Sequence, residues 1–182
     1  MTPASKILLT GVPGIGKTTL IRAVAEQLQG QGLAVSGFYT AEERGAHGRT
    51  GFLVVTLDGK RGRLATTART EGPRLGRYTV QLHSFEATAL PSIAVRAGVD
   101  LFVLDEIGKM ECLSPRFVAA VRQLLGADVT LLATVAQRGT GLIAEAKARP
   151  DVEVVEVTCY DRDGLVEELT ARLQPPNSRQ NT

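Results

Sequence analysis

The 182 residues carry 43% hydrophobic and 22% charged side chains, a balance that supports one globular domain with a sizeable core and excludes a disordered chain. A formal net charge of +2 excludes a polycation built to coat nucleic acid or an anionic membrane, so any basic function must be local. Cys112 and Cys159 lie far apart and fit neither a disulfide scaffold nor a zinc site, and no apolar run reaches signal or membrane-spanning length, so the expectation is a soluble, cytoplasmic protein with reduced thiols.

In chain order, "KILLT" (Lys6 to Thr10) reads as a buried strand. A helix follows from Lys17, with Leu20, Ile21, Val24, Ala25 and Leu28 on one stripe and Gly30 and Gly32 stopping it. "LAVSGFYT" (Leu33 to Thr40) is a second strand. "GFLVVTLDGKRGRLAT" contains two β-like runs around Asp58-Gly59, a pair suited to the positive φ angles of a tight hairpin turn. Ser84 is the expected N-cap of a helix running through Phe85, Leu90, Ile93 and Val95, bent at Pro91. Further strands are expected at Leu101 to Leu104, Val129 to Thr134 and Val152 to Val157. Ser114-Pro115 starts a helix to about Leu125, because proline at the first helical position lacks an amide hydrogen that would go unpaired anyway. Helices from Leu142 to Ala148 and Asp163 to Leu173 complete the alternation.

This alternation predicts an α/β fold, a mostly parallel sheet with helices on both faces, with ligands at the carboxyl ends of the strands. One domain is expected over 1–174, with a β-hairpin, lid-like insertion at about 41–80 and a flexible tail over 175–182.

The most specific signal is "GVPGIGKTT". It fills the Walker A pattern Gly-x-x-x-x-Gly-Lys-Thr with Gly11, Gly16, Lys17 and Thr18, between a strand and a helix as the mechanism requires. Gly11, Val12, Pro13, Gly14, Ile15 and Gly16 are expected to turn their backbone amides toward phosphates, and the helix adds its positive end through Lys17, Thr18 and Thr19. Lys17 is expected to reach the β- and γ-phosphates and the Thr18 hydroxyl to ligate magnesium.

"DLFVLDEIGKMECL" (100 to 113) offers two readings. Asp105 to Gly108 fits the Asp-x-x-Gly switch of a GTPase, but no Asn-Lys-x-Asp segment follows to read guanine, which leaves Gly108 as a turn residue. The favoured reading is a Walker B strand end in which Asp105 holds the magnesium shell and Glu106 orients a water for in-line attack.

"LLTGVPGIGKTTL", "GFYT", "GRTGF", "LDGKRG", "GRYTVQLHSFE" and above all "DEIGKME" resemble the small P-loop nucleoside-triphosphatase family that includes the cancer-related NTPases and their thermophile counterparts. The resemblance runs from about residue 6 to residue 173. It implies a RecA-like fold and slow, magnesium-dependent hydrolysis of ATP, GTP and other nucleoside triphosphates, with little base selectivity. It also implies that the strand ending at Thr134 lies between the P-loop strand and the Asp105 strand. Thr134 would then sense the γ-phosphate, although a threonine there also follows from strand propensity alone.

Lys109 and Glu111 complete the family-like segment. Lys109 is a candidate for neutralising transition-state charge, or else a surface ion-pair partner, and Glu111 for holding the loop. Seven arginines lie between Arg44 and Arg77. Arg44 and Arg49 best fit a lid that supplies an arginine to the γ-phosphate, while Arg61, Arg63, Arg69 and Arg74 read as a solvated face. Arg138 ranks below them as an arginine finger. In "VTCYDRDGL", Arg162 fits a family position beside the base, but Asp161 departs from the expected asparagine. The plainer role of Asp161 and Asp163 is at a helix N-terminus. His47 and His83 are isolated, and Met110 and the phenylalanines read as core.

The leading function is nucleoside-triphosphate hydrolysis by a monomer, with Mg2+ as cofactor and no membrane partner. A P-loop kinase with a small acceptor is the alternative. A nucleotide-gated nucleic-acid module ranks third, because no aromatic side chains interleave with the arginines as stacking platforms.

Overall fold

The computed structural model describes residues 5–160 and 162–174, with the side chains of 162 and 163 outside the description. Strand β1 (Lys6–Thr10) is buried along its whole length, as an apolar strand covered on both faces must be. Helix α1 (Lys17–Gly30) buries Leu20, Ile21, Val24, Ala25 and Leu28, the stripe read from the sequence.

Strand β2 (Val35–Gly45) runs five residues beyond the expected end at Thr40, and it turns back through Ala46 and His47 into β3 (Gly48–Thr56). The polar run after Thr40 hid this extension. It forms a strand because the register Glu42↔Phe52 through Gly45↔Gly48 satisfies its backbone, with no buried face needed. The turn at Asp58-Gly59 leads into β4 (Arg61–Thr66) as expected, with Gly59 at φ 91°. Two short strands, β5 (Arg74–Leu75) and β6 (Tyr78–Val80), were not foreseen.

Helix α2 (Leu82–Ile93) starts two residues before the expected Ser84 cap and ends two residues after Pro91, leaving Val95 outside and exposed. Ser84 is not the cap because its hydroxyl accepts the Arg63 amide at 2.8 Å, which ties β4 to the helix. Strand β7 (Leu101–Ile107) is followed by a 3-10 turn at Glu111–Leu113 and by α3 (Pro115–Gly126). Ser114 caps α3 as expected, its Oγ accepting the Phe117 amide at 3.0 Å. Then come β8 (Leu131–Val135), α4 (Leu142–Ala148), β9 (Glu153–Glu156) and α5 (Arg162–Leu173).

The strands form one nine-stranded sheet in the order β5-β6-β4-β3-β2-β7-β8-β1-β9. Pairs from β2 to β9 are parallel, with β8 between β1 and β7 as the resemblance implied. From β2 outward the pairs are antiparallel. The strands of the insertion expected at 41–80 continue the sheet, and Leu64, Ala65 and Val80 join the core with Phe85 of α2. Helices α1 and α5 cover one face, and α2, α3 and α4 the other. The second face is anchored by Phe38, Phe85 and Phe117, whose ring centroids lie 5.3 to 6.2 Å apart. No helix among the described residues is long and apolar enough to cross a membrane.

Gly37 in β2 has φ +139°, and a Cβ there would fall 1.8 Å from the Val103 carbonyl oxygen of β7. Gly37→Ala must therefore part β2 from β7 or abandon its backbone angle, a loss on the order of 3 kcal/mol. Chemical denaturation is the check, and a wild-type midpoint would contradict this strand pairing.

Candidate active site

The phosphate loop begins where β1 ends. Gly11, Gly14 and Gly16 take φ of 150°, 81° and 104°, angles at which a side chain would be strained. Gly11 has no room besides: a Cβ there would lie 2.8 Å from the Val157 carbonyl oxygen, and the Val157 amide donates to the Thr10 carbonyl at 2.8 Å. Val12, Pro13, Gly14 and Thr19 are exposed, while Ile15 is half-buried under the loop. Helix α1 has no side-chain cap and no acid in its first turn, so its leading amides remain open to an anion. The Lys17 ammonium lies across the loop and donates to the carbonyls of Gly11 at 3.0 Å and Val12 at 3.3 Å.

Asp105 closes the unbroken buried run Leu101 to Asp105 of β7, with Ile107 buried beyond the half-buried Glu106, and is only 1% exposed. Its Oδ2 accepts from the Thr18 hydroxyl at 2.8 Å and from both the amide and the hydroxyl of Thr40 at 3.2 Å. Its Oδ1 accepts from the Thr134 hydroxyl at 2.6 Å. Thr18, Asp105 and Thr134, far apart in sequence, are thus in direct contact. The hydroxyl proton of the fully buried Thr134 is directed at Asp105. Thr40 was missed as a site residue. Its signal was present, because it ends the parallel segment of a strand beside β7.

Beyond Asp105 two more carboxylates crowd together. A Cβ on Gly108 would meet Glu106 Oε1 and Glu111 Oε2, each at 2.6 Å. Gly108 is more than a turn residue: its missing side chain is the space that both carboxylates use. Burial first, and then the Asp105 charge, raise the Glu106 pKa, with Lys17 opposing them. Glu111 is 6% exposed, and burial together with the Glu106 charge pushes it up to about 8 against partial relief from its own amide and that of Gly108. Its 3-10 turn is closed by the Cys112 amide on the Gly108 carbonyl and the Ser114 amide on the Glu111 carbonyl, both at 3.0 Å. Lys109 is exposed beside Glu106.

The arginines are placed differently from Lys17. Arg44 donates its Nε to Glu42 at 2.9 Å and is 70% exposed. Arg49 donates to Glu42 at 2.6 Å and to the Tyr78 hydroxyl at 3.0 Å, with its guanidinium over the Phe52 ring. Both side chains are engaged on the hairpin itself. Arg138 is exposed in the loop after β8. The Arg162 side chain and Asp161 lie outside the described residues. Cys112 and Cys159 are both free thiols. Among the described residues no three His, Cys, Asp or Glu side chains gather to hold a metal by themselves.

Comparison with known proteins agrees with this geometry. A model of the NTPase family matches residues 6–170. The chain is 41% identical over 185 residues to a cancer-related nucleoside-triphosphatase homolog of Bos taurus, covering 94% of this chain and 97% of that one. It is 39% identical over 171 residues to the nucleoside-triphosphatase THEP1 of Thermotoga maritima, covering 93% and 95%. The crystal structure of THEP1 from Aquifex aeolicus superposes with a TM-score of 0.84 at 34% identity, over 93% of this chain and 99% of that one. The solution structure of a human cancer-related nucleoside triphosphatase gives 0.80 at 40% identity, over 98% and 100%. With a P-loop on β1, a buried acid on β7 and these relatives matched along nearly their whole length, the chain belongs to the NTPase family of nucleoside-triphosphatases.

Proposed function

We propose that the chain hydrolyses nucleoside 5'-triphosphates to diphosphate and phosphate in a magnesium-dependent reaction of low base selectivity, with Glu106 activating the attacking water. The observation that carries this reading is the 2.8 Å contact of Thr18 with Asp105, with Glu106 one residue further at the mouth of the phosphate loop. A hydroxyl and a carboxylate in contact are hard oxygen donors of the kind magnesium prefers, and a site of two protein ligands completed by water and phosphates suits that ion. Thr18 and Asp105 would hold it. When bound, magnesium neutralises charge on the β- and γ-phosphate oxygens.

The remaining work falls to the protein. The amides of residues 11–16 and the first turn of α1 cradle the phosphates, and Lys17 leaves its two loop carbonyls for phosphate oxygens, exchanging neutral partners for charged ones. Thr40 and Thr134 hold Asp105 in place. Glu106, made more basic by burial and by Asp105, accepts a proton from the water as it attacks. Lys109, exposed beside Glu106, meets charge on the departing phosphate. Loop amides and Lys17 recognise phosphates that every nucleoside triphosphate carries, which supports the low base selectivity.

Glu106→Gln is expected to keep nucleotide binding and to lower kcat by roughly 10²–10⁴-fold. Phosphate release measured beside equilibrium binding of a fluorescent nucleotide tests it, and turnover near wild type would remove Glu106 from the role of base.

Glu111 makes stability depend on pH. Below about 4.5 its carboxyl is protonated in both the folded and the unfolded chain. As the pH rises from there to about 8, the unfolded chain releases a proton that the folded chain retains, so stability falls. Glu111→Gln, which cannot ionise, is expected to flatten this decline. Thermal melts across that pH window check it: identical slopes for the two proteins would mean that Glu111 does not carry the effect.

A further inference from the structure

A cavity of about 300 Å³ lies beside Glu106, on the face of the sheet that carries α2 and α3. Its apolar lining is Phe52, Leu64, Leu75, Met110 and Ala136, and its polar lining is Thr40, Glu106, Lys109 and Glu111. None of residues 11–18 lines it, so it lies beside the phosphate loop and not within it, sharing with the site Thr40, Glu106, Lys109 and Glu111. Its wall is braced before any ligand arrives: the Phe52 ring packs on Tyr78 at 5.3 Å, and the Arg49 guanidinium sits 5.0 Å from the Phe52 centroid.

Hydrolysis needs none of this. A water molecule at Glu106 gains nothing from a chamber of apolar side chains, and leaving such surface wet is unfavourable. A volume near 300 Å³ with apolar walls and a few polar groups suits a small organic ligand, at the lower end of the roughly 300–1,000 Å³ range of such sites. The polar groups narrow the class. A carboxylate or phosphate acceptor would meet the carboxyls of Glu106 and Glu111, and an ammonium would meet Lys109. A neutral hydroxyl suits both, and the walls call for an apolar body behind it.

We propose that this cavity is an acceptor subsite for an apolar primary alcohol, to which the chain transfers the γ-phosphoryl group in place of water. The alcohol oxygen forms the new bond to the γ-phosphorus, and the bond from that phosphorus to the β,γ-bridging oxygen breaks. The nucleoside diphosphate leaves with the electron pair, and the hydroxyl proton passes to Glu106. The proposal rests on the reading of Glu106 as the base.

The test supplies magnesium-ATP with benzyl alcohol, 2-phenylethanol or 1-hexanol, and measures ADP, inorganic phosphate and phosphate ester in the same reaction by 31P NMR. The expected result is a phosphate ester whose amount equals the shortfall of inorganic phosphate against ADP. Ala136→Leu and, independently, Leu75→Trp fill the cavity and are expected to abolish ester while phosphate release to water stays within about twofold of wild type, because neither side chain supplies a polar group to the reaction. Equal ADP and inorganic phosphate with all three alcohols overturns the subsite and leaves the hydrolase reading intact. Ester formed undiminished by both filled variants also overturns it, since transfer would then not use this cavity. Glu106→Gln separates the two readings: if it still releases phosphate at the wild-type rate, the base assignment fails whatever the alcohols do.

Discussion

Asp105 is a carboxylate withdrawn almost completely from water, and the catalytic half of the molecule is arranged around making that tolerable. An isolated buried carboxylate would cost several kcal/mol, so donors must converge on it. They come from three separate elements: Thr18 from the first turn of α1, Thr40 from β2 and Thr134 from β8. The sheet order that places β2 and β8 on either side of β7, with β1 one strand further, lets all three reach the one carboxylate. The parallel core is therefore more than a scaffold for the phosphate loop, because its strand order is what satisfies this group. The donors are also hydroxyls, which can exchange a carboxylate for a cation or a water without leaving a charge behind.

The second constraint is electrostatic crowding. Asp105, Glu106 and Glu111 lie on one short stretch from the end of β7 to the start of the 3-10 turn, and the absent side chain of Gly108 lets the last two approach. Three negative charges in a half-buried space would repel strongly, and the protein relieves this by leaving a proton on Glu111 at neutral pH. Glu106, nearer to solvent and within the field of Lys17, is then the group that the proposed reaction uses to accept a proton. Its basicity arises from its neighbours and its burial, which is how active sites generally obtain a carboxylate more basic than water would allow.

The parallel half of the fold and the phosphate loop were legible because short-range rules decide them. A fully apolar strand, a glycine-rich turn, a stripe of Leu20, Ile21, Val24 and Leu28, and a Ser-Pro helix start each carry their information within a few residues. The pairing of Thr18 with Asp105 was legible for a different reason, since the chemistry of a P-loop demands a partner acid at a strand end. The extension of β2 and the strands β5 and β6 were not legible. Their residues are polar or few, and they are strands only because a neighbouring strand offers hydrogen bonds, a fact about pairing that no local pattern records. Ser84 misled for the same reason. As a hydroxyl before an apolar run it looks like a cap, yet a distant amide from Arg63 took it. The role of Gly108 depended on where two side chains, one two residues before it and one three after, would point, which spacing alone does not fix.

The arginine-rich antiparallel extension shows how charge and position part company. Counted in the sequence, its guanidinium groups suggest a reservoir of positive charge for phosphates. In the fold, Arg63 is paired with Glu43, Arg77 donates to the Tyr78 hydroxyl, and Arg44 and Arg49 share Glu42. Exposed pairs of this kind hold a side chain by no more than about 1 kcal/mol, so pairing with Glu42 alone does not bar a guanidinium from turning toward a more highly charged phosphate. Arg49 is held in three ways, by Glu42, by the Tyr78 hydroxyl and by the face of Phe52, and moving it would unbrace the cavity wall. Arg44 has Glu42 alone and projects into solvent. Of this pair, Arg44 is the guanidinium whose relocation disturbs least, whereas Arg49 belongs to the structure that shapes the space beside Glu106.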